Sequence, residues 1–269
     1  MFTWTEESAA FWQDSANYTR SYDLLAAKAT AHLTPGSAVF ESGCGLGHLS
    51  VALARRGYAV TGMDLSPLPL RYLRRNAARE GVRLDIRQGD VFALLPEEVW
   101  DDAVFCFFGG VRETLAWARA HCRDRLILFK KNWDTHRFTR DAGAIRRFTY
   151  PLTLAELDQL GVPYETETFE VDMGQPFRSL EDAVRFFRLY DPVEAMSETE
   201  VLSRLTETDD PVFPFYLSAI RPVGMIVLRA EDIRQVDTLY GGMNHETYRY
   251  PAAGGPDAPE RLRHGCGRH

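Results

Sequence analysis

In the stretch VFESGCGLGHLS, residues 39–50, glycines alternate at positions 43, 45 and 47, with an acid, Glu41, two residues ahead of the first. Glycine at such a turn tolerates unusual φ and lets backbone amides approach a ligand without a Cβ in the way, while a helix start just behind favours an anionic group. A second acid, Asp64, stands 21 residues after Gly43 at the end of the next apolar run. A carboxylate there can accept hydrogen bonds from ribose hydroxyls, so the two features together imply a nucleotide-like ligand.

Two cofactor classes share this layout. A dinucleotide fingerprint, G-x-G-x-x-G, would put Gly or Ala at 48, but this chain has His48 and the spacing G-x-G-x-G. An acid two residues before the first glycine would also repel a pyrophosphate. Glu41 suits a ligand with a cationic end, such as the ammonium and sulfonium of S-adenosylmethionine.

The elements that must carry these residues are legible from periodicity. Short apolar runs, SAVFESG, YAVTGMD, VRLDIRQGD, DDAVFCFFGG and RLILFKK, alternate with amphipathic stretches at about 49–56, 67–80 and 111–122. That rhythm implies crossover connections and a doubly wound α/β sheet, mostly parallel, with helices on both faces. Ser66 is expected to cap the second of these helices, with Pro67 at its first position, and Gly57 and Gly81 fall where helices should end. Beyond Lys131, three Ser/Thr-x-x-Glu/Asp boxes, at 153, 179 and 197, should each open a helix. PYETETFEVDMGQPF reads as extended and GMIVLRA as a buried strand, which brings the sheet to seven strands with a helical insertion at 179–206 before the last. The expected organisation is a helical lid over 1–36, a cofactor-binding core over 37–132, the rest of the sheet with a substrate-side insertion over 133–240, and a mobile Gly/Pro-rich tail over 241–269.

Composition excludes several functions. With 269 residues and 45% hydrophobic content the chain can bury a large core. No apolar run approaches the roughly 18 residues of a membrane span, and the N-terminus lacks a leader pattern. Four cysteines without a CxxC pair suggest reduced thiols and a cytoplasmic location. Net charge is −7, and residues 151–210 hold 4 basic against 15 acidic residues. Nucleic-acid surfaces gather Lys and Arg, so a nucleic-acid partner is not expected.

On these motifs the chain resembles the class I S-adenosylmethionine-dependent methyltransferases over about residues 37–132. ESGCGLG is similar to the family's first motif, GMDLS to its ribose-binding acidic motif and RQGDVF to the motif that reads adenine. The resemblance implies a Rossmann-like methyltransferase fold and S-adenosyl-L-methionine as cofactor. Gly43, Cys44, Gly45 and Gly47 would line the methionine end with Glu41 behind them. Asp64 would hold the ribose, Leu65 would pack on adenine, and Asp90 with the Val91 amide would bind its polar edge. Phe107 to Gly110, at the end of the fourth strand, would lie beside the reacting methyl. FFGG departs from the Asn/Asp-Pro-Pro-aromatic sequence of the DNA amino-methylating branch. The reading is an enzyme that methylates a small molecule; an NAD(P)-dependent oxidoreductase, a non-catalytic S-adenosylmethionine-binding protein and an RNA methyltransferase are the alternatives. No catalytic residue is assigned. The loop after the fifth strand, KKNWDTH, is expected at the crevice and offers Lys130, Lys131, Asp134 and His136, none of them named as catalytic, and the tail's HGCGRH is a chance cluster with no scaffold, so no metal site is expected.

Overall fold

The computed structural model describes residues 3–95, 97–135, 138, 148–190 and 196–236. The chain opens with two helices, α1 (Glu6–Thr19) and α2 (Ser21–Thr30), separated by Arg20 in the left-handed region at φ 56°. Then β1 (Ala38–Ser42), α3 (His48–Ala54), β2 (Ala59–Asp64), α4 (Pro67–Arg79), β3 (Asp85–Gln88), β4 (Trp100–Cys106), α5 (Val111–His121) and β5 (Cys122–Lys131) alternate as the apolar rhythm requires. The second half supplies α6 (Tyr150–Leu160), β6 (Glu165–Asp172), β7 (Gln175–Phe177), α7 (Leu180–Tyr190), α8 (Glu198–Ser203), β8 (Thr206–Glu207), β9 (Phe215–Leu217), β10 (Ile220–Arg229) and α9 (Ala230–Arg234).

Seven strands form one sheet in the order β3-β2-β1-β4-β5-β10-β6. Strands β1 to β5 run parallel, and β10 pairs antiparallel with both β5 and β6. Successive residues on the central strands point into different cores. Phe40, Phe105, Leu126 and Leu128 pack with α5, α6 and α9, whereas Val39, Val104, Ile127 and Phe129 pack with α2 and α3. Both faces are therefore covered, and the strands read as continuous apolar runs for that reason. The order reverses between β1 and β4, so the ligand crevice lies at the carboxyl ends of those two strands.

The expected doubly wound seven-stranded sheet is present, and three local expectations change. The insertion holds α7 and α8 as expected but also a second sheet, β7-β9-β8, of three, two and three residues for β7, β8 and β9. Strands that short leave no alternation to read. Thr153 does not open a helix: α6 starts at Tyr150 behind Thr149, with Pro151 in its first turn, and the Thr153 hydroxyl donates back to the Thr149 carbonyl at 2.9 Å. Ser66 occupies the cap position of α4, yet its side chain makes no cap bond; its amide instead donates to Asp64 at 2.9 Å. Ser179 and Ser197 do cap α7 and α8, accepting from the amides of Asp182 and Glu200 at 3.1 and 3.3 Å.

Among the described residues no helix is long and apolar enough to cross a membrane, and no group of three or more His, Cys, Asp or Glu side chains is placed to hold a metal ion. The expected tail, with its HGCGRH, and His136 lie outside the described residues.

Candidate functional site

The glycine turn joins β1 to α3 at the mouth of the crevice. All three glycines are left-handed, with φ of 63°, 52° and 75° at Gly43, Gly45 and Gly47. Space forbids a side chain at Gly47 in particular, because a Cβ there would stand 1.9 Å from Leu73 Cδ1 of α4. At Gly43 the neighbour is the Phe108 ring, 3.1 Å from the same hypothetical atom. Two of the three deletions are thus used by the chain's own packing.

Several turn amides are also occupied. Cys44 N donates to Met63 O at 3.0 Å, Gly45 N to Asp64 Oδ2 at 3.0 Å and Gly47 N to Cys44 O at 2.8 Å. Amides committed this way are not offered to a phosphate, a point of difference from a pyrophosphate-binding turn.

Asp64 ends β2 with one backbone donor on each oxygen, Gly45 N on Oδ2 and Ser66 N on Oδ1. A carboxylate has about four lone-pair sites, so roughly two remain for a ligand's hydroxyls. Burial raises the Asp64 pKa, and the two amides oppose that shift. Leu65 follows with 45% of its surface exposed, an apolar face beside the carboxylate. The Leu65 carbonyl accepts from Gln88 Nε2 at 3.4 Å and the Asp64 carbonyl from Gly89 N at 3.1 Å, which bring the next turn alongside. There Asp90 accepts from Phe92 N at 3.0 Å as the cap of a short 3₁₀ turn, and the Val91 side chain is buried.

Glu41 is buried behind the turn and accepts a hydrogen bond from the Ser50 hydroxyl of α3. Burial pushes its pKa up to about 8, the Ser50 bonds oppose this, and Asp64 adds a like charge. The nearby thiols of Cys44 and Cys106 are pushed well up by burial and then by Glu41. Burial also lowers His48, helped by Arg79, to about 4, and its ring stacks on Tyr22 with centroids 5.5 Å apart. Tyr22 is itself raised, chiefly by burial.

Aromatic groups surround the turn. Trp4 lies 3.5 Å from where a Gly45 Cβ would stand and meets Trp12 edge-on at 5.6 Å, and Trp12 Nε1 donates to the Tyr22 hydroxyl at 3.2 Å. At the end of β4, Phe107 is left-handed at φ 55°, its amide donates to Phe129 O at 2.9 Å, and its ring is 6.0 Å from Trp133. Sequence reasoning did not single out Ser50, Trp4 or Trp133 for the site. For Ser50 the one available signal was a hydroxyl inside the otherwise apolar run LSVALA.

A doubly wound sheet with an acid-led glycine turn after β1 and a hydroxyl-accepting carboxylate after β2 defines a nucleoside-binding α/β domain. Residues 39–124, about a third of the chain, match the family described as a methyltransferase domain. Over 93 residues, 34% of this chain and 37% of its relative, it is 37% identical to the ribosomal protein L11 methyltransferase of Thermus thermophilus. Over 62 residues, 23% of this chain and 27% of its relative, it is 45% identical to the ubiquinone biosynthesis O-methyltransferase of Azotobacter vinelandii. The chain therefore spans only 27% to 37% of the length of these two curated relatives. Among solved structures, the YcgJ protein from Bacillus subtilis has the same fold with a TM-score of 0.51 at 16% identity, covering 78% of this chain and 97% of that one. S-Adenosylmethionine fits the residues present: free lone pairs on Asp64 for the ribose, exposed Leu65 for the base, and buried Glu41 where the cationic end would come.

Proposed function

We propose that this chain is an S-adenosylmethionine-dependent methyltransferase acting on a small-molecule acceptor. The observation that carries the reading is Asp64, which fastens the glycine turn through Gly45 while keeping acceptor capacity on both oxygens. When bound, S-adenosylmethionine supplies a methyl group activated by a positive sulfur. The protein's share is then positioning and exclusion of water. Asp64 binds the ribose, Leu65 and the turn at Asp90 and Val91 take the adenine, and Glu41 faces the cationic end from behind Gly43, Cys44, Gly45 and Gly47. Trp4, Phe107 and Phe108 wall the crevice, and aromatic faces attract a sulfonium.

Besides Glu41 and Asp64, the titratable groups near the turn, His48, Tyr22, Cys44 and Cys106, are all disfavoured by burial from taking a charge. That supports an acceptor able to attack unaided, such as a neutral amine or an already ionised thiol or phenol. A small acceptor is supported further by the aromatic walls, by the acidic 151–210 segment, and by the ubiquinone-pathway relative. Unpaired Cys44, Cys106 and Cys122 suit a reducing, cytoplasmic setting.

The deciding experiment incubates the protein with S-adenosylmethionine and panels of amines, thiols and phenols, with detection of S-adenosylhomocysteine. Turnover with a small acceptor is expected. Turnover with protein or RNA fractions alone would replace the substrate class, and cofactor binding without any turnover would replace the enzyme with a binding protein.

A further inference from the structure

Lys130, near the end of β5, is 1% exposed. Its Nζ donates to Phe108 O at 2.9 Å and to Gly109 O at 2.8 Å. Both carbonyls belong to the loop from β4 to α5, whose backbone is left-handed at Phe107 and at Gly109, φ 55° and 74°. A non-glycine residue in that region costs energy and holds only where its surroundings impose it. Gly109 is hemmed in as well, since a Cβ there would meet Thr114 Oγ1 at 2.6 Å.

Inward-pointing carbonyls need donors, and an uncharged donor would satisfy them at less desolvation cost than an ammonium. What the ammonium adds is strength, because charge-assisted hydrogen bonds are about twice as strong as neutral ones. The loop held this way is the one whose Phe108 ring lies against Gly43 of the turn.

We propose that Lys130 is a positioning residue for methyl transfer, its ammonium clamping the Phe107–Gly110 loop against the glycine turn so that Phe108 forms a fixed wall of the cofactor crevice. This rests on the cofactor reading above. The groups that face Lys130 are the Cys106 thiol of β4 and the Glu156 carboxylate of α6, the latter paired with Arg112 at 3.2 Å; Glu113 borders the loop at Gly110. Burial lowers Lys130 to about 8 against the opposing pull of Cys106 and Glu156. Cys106 is held as the neutral thiol across the same range, so the charge lost first on raising the pH is that of the clamp.

The test is calorimetric titration with S-adenosylhomocysteine at pH 7 and pH 9.5, together with amide hydrogen exchange over 105–112, on wild type, Lys130→Met and Lys130→Arg. Between pH 7 and pH 9.5 wild-type affinity should fall about tenfold relative to Lys130→Arg, a difference of about 1.4 kcal/mol, because the ionisation of Glu41 is common to both proteins. Lys130→Met should be weak at both, with faster exchange confined to the loop. Lys130→Arg, whose guanidinium does not titrate, should rescue binding at both pH values. Wild-type affinity in Lys130→Met at pH 7, or unaltered loop exchange, would overturn the clamp. Should Lys130→Met not fold, a Lys130→Arg profile that falls in parallel with wild type would overturn it equally. Wild type that binds no S-adenosylhomocysteine at either pH would overturn the cofactor reading, and the positioning role with it.

Discussion

The Gly45 amide donates to Asp64 Oδ2 across 3.0 Å, so the glycine turn after β1 and the carboxylate at the end of β2 form one mechanical unit. A ligand that pulls on Asp64 therefore reads the shape of the turn as well.

Asp64→Ala should weaken both S-adenosylmethionine and S-adenosylhomocysteine. Hydrogen bonds to a charged group contribute roughly 1.5 to 3 kcal/mol each, and water replaces part of the loss. The expected cost is about 2 to 4 kcal/mol, or on the order of 30-fold to 1000-fold in affinity. Asp64→Asn, which keeps an acceptor for one backbone amide, should fall between. Titration of both variants, with thermal melts to confirm folding, checks this; undiminished affinity in a folded Asp64→Ala protein would contradict it.

Gly47→Ala should be among the most damaging glycine substitutions. It combines a left-handed backbone, at about 1 to 2 kcal/mol, with a clash into Leu73, at about 1 to 3 kcal/mol. A drop of roughly 4 to 20 °C in melting temperature follows for a domain of this size. Gly36 is the control, since it shares the left-handed backbone at φ 78° but has nothing within 4 Å of a Cβ. Gly47→Ala paired with Leu73→Ala should recover part of the loss that Gly47→Ala shows beyond Gly36→Ala.

Glu41 sets a pH dependence of stability. Its folded pKa, about 8, lies above the ordinary value of 4.5, so the folded state binds the extra proton between those limits. Its contribution is fully present below pH 4.5 and declines as pH rises toward 8, at up to about 1.4 kcal/mol per pH unit. Glu41→Gln removes that slope and should melt higher than wild type at pH 9 but not at pH 5. A cationic ligand should also expel the Glu41 proton, so S-adenosylmethionine binding near pH 7 should release protons, measurable by calorimetry in buffers of different ionisation enthalpy. Parallel melting curves for the two proteins across pH 5 to 9 would refute the assignment.

Trp4→Ala should distinguish the two forms of the cofactor. If its ring covers the turn at Gly45, removing it costs the sulfonium of S-adenosylmethionine about 0.5 to 2 kcal/mol more than the neutral thioether of S-adenosylhomocysteine. Equal losses for both ligands would reduce Trp4 to a simple cover.

The alternation of strands and helices through β5 was legible because both sheet faces are buried and each strand is an unbroken apolar run. Glu41, Gly43 and Asp64 were legible because their types and spacing are unusual outside a ligand turn. The partners that make them a site were not. Ser50 reaches Glu41 only when α3 packs back on β1, and Phe108 reaches Gly43, sixty-five residues away, only after β1 and β4 become neighbours. The small β7-β9-β8 sheet escaped for a different reason, since its register is set by tertiary contacts such as Tyr216 Oη donating to Asp172 at 2.6 Å. Thr153 misled because a back-bonding hydroxyl within a helix and a capping hydroxyl at its start share one sequence pattern.

Helix α1 touches both halves of the protein. Glu6 pairs with Arg71 and Gln13 with Asn76 of α4, while Asp14 pairs with Arg178, Ser15 donates to Gly174 O, and Phe11 packs edge-on to Phe177 and Phe186. During synthesis this helix leaves the ribosome some 160 residues ahead of its partners at 174–186. At about 5 to 20 residues per second that delay lasts on the order of ten seconds. Through it Phe11 lacks the Phe177 and Phe186 rings it packs against, and the contacts of α1 with α4 must hold the helix until the insertion closes over it.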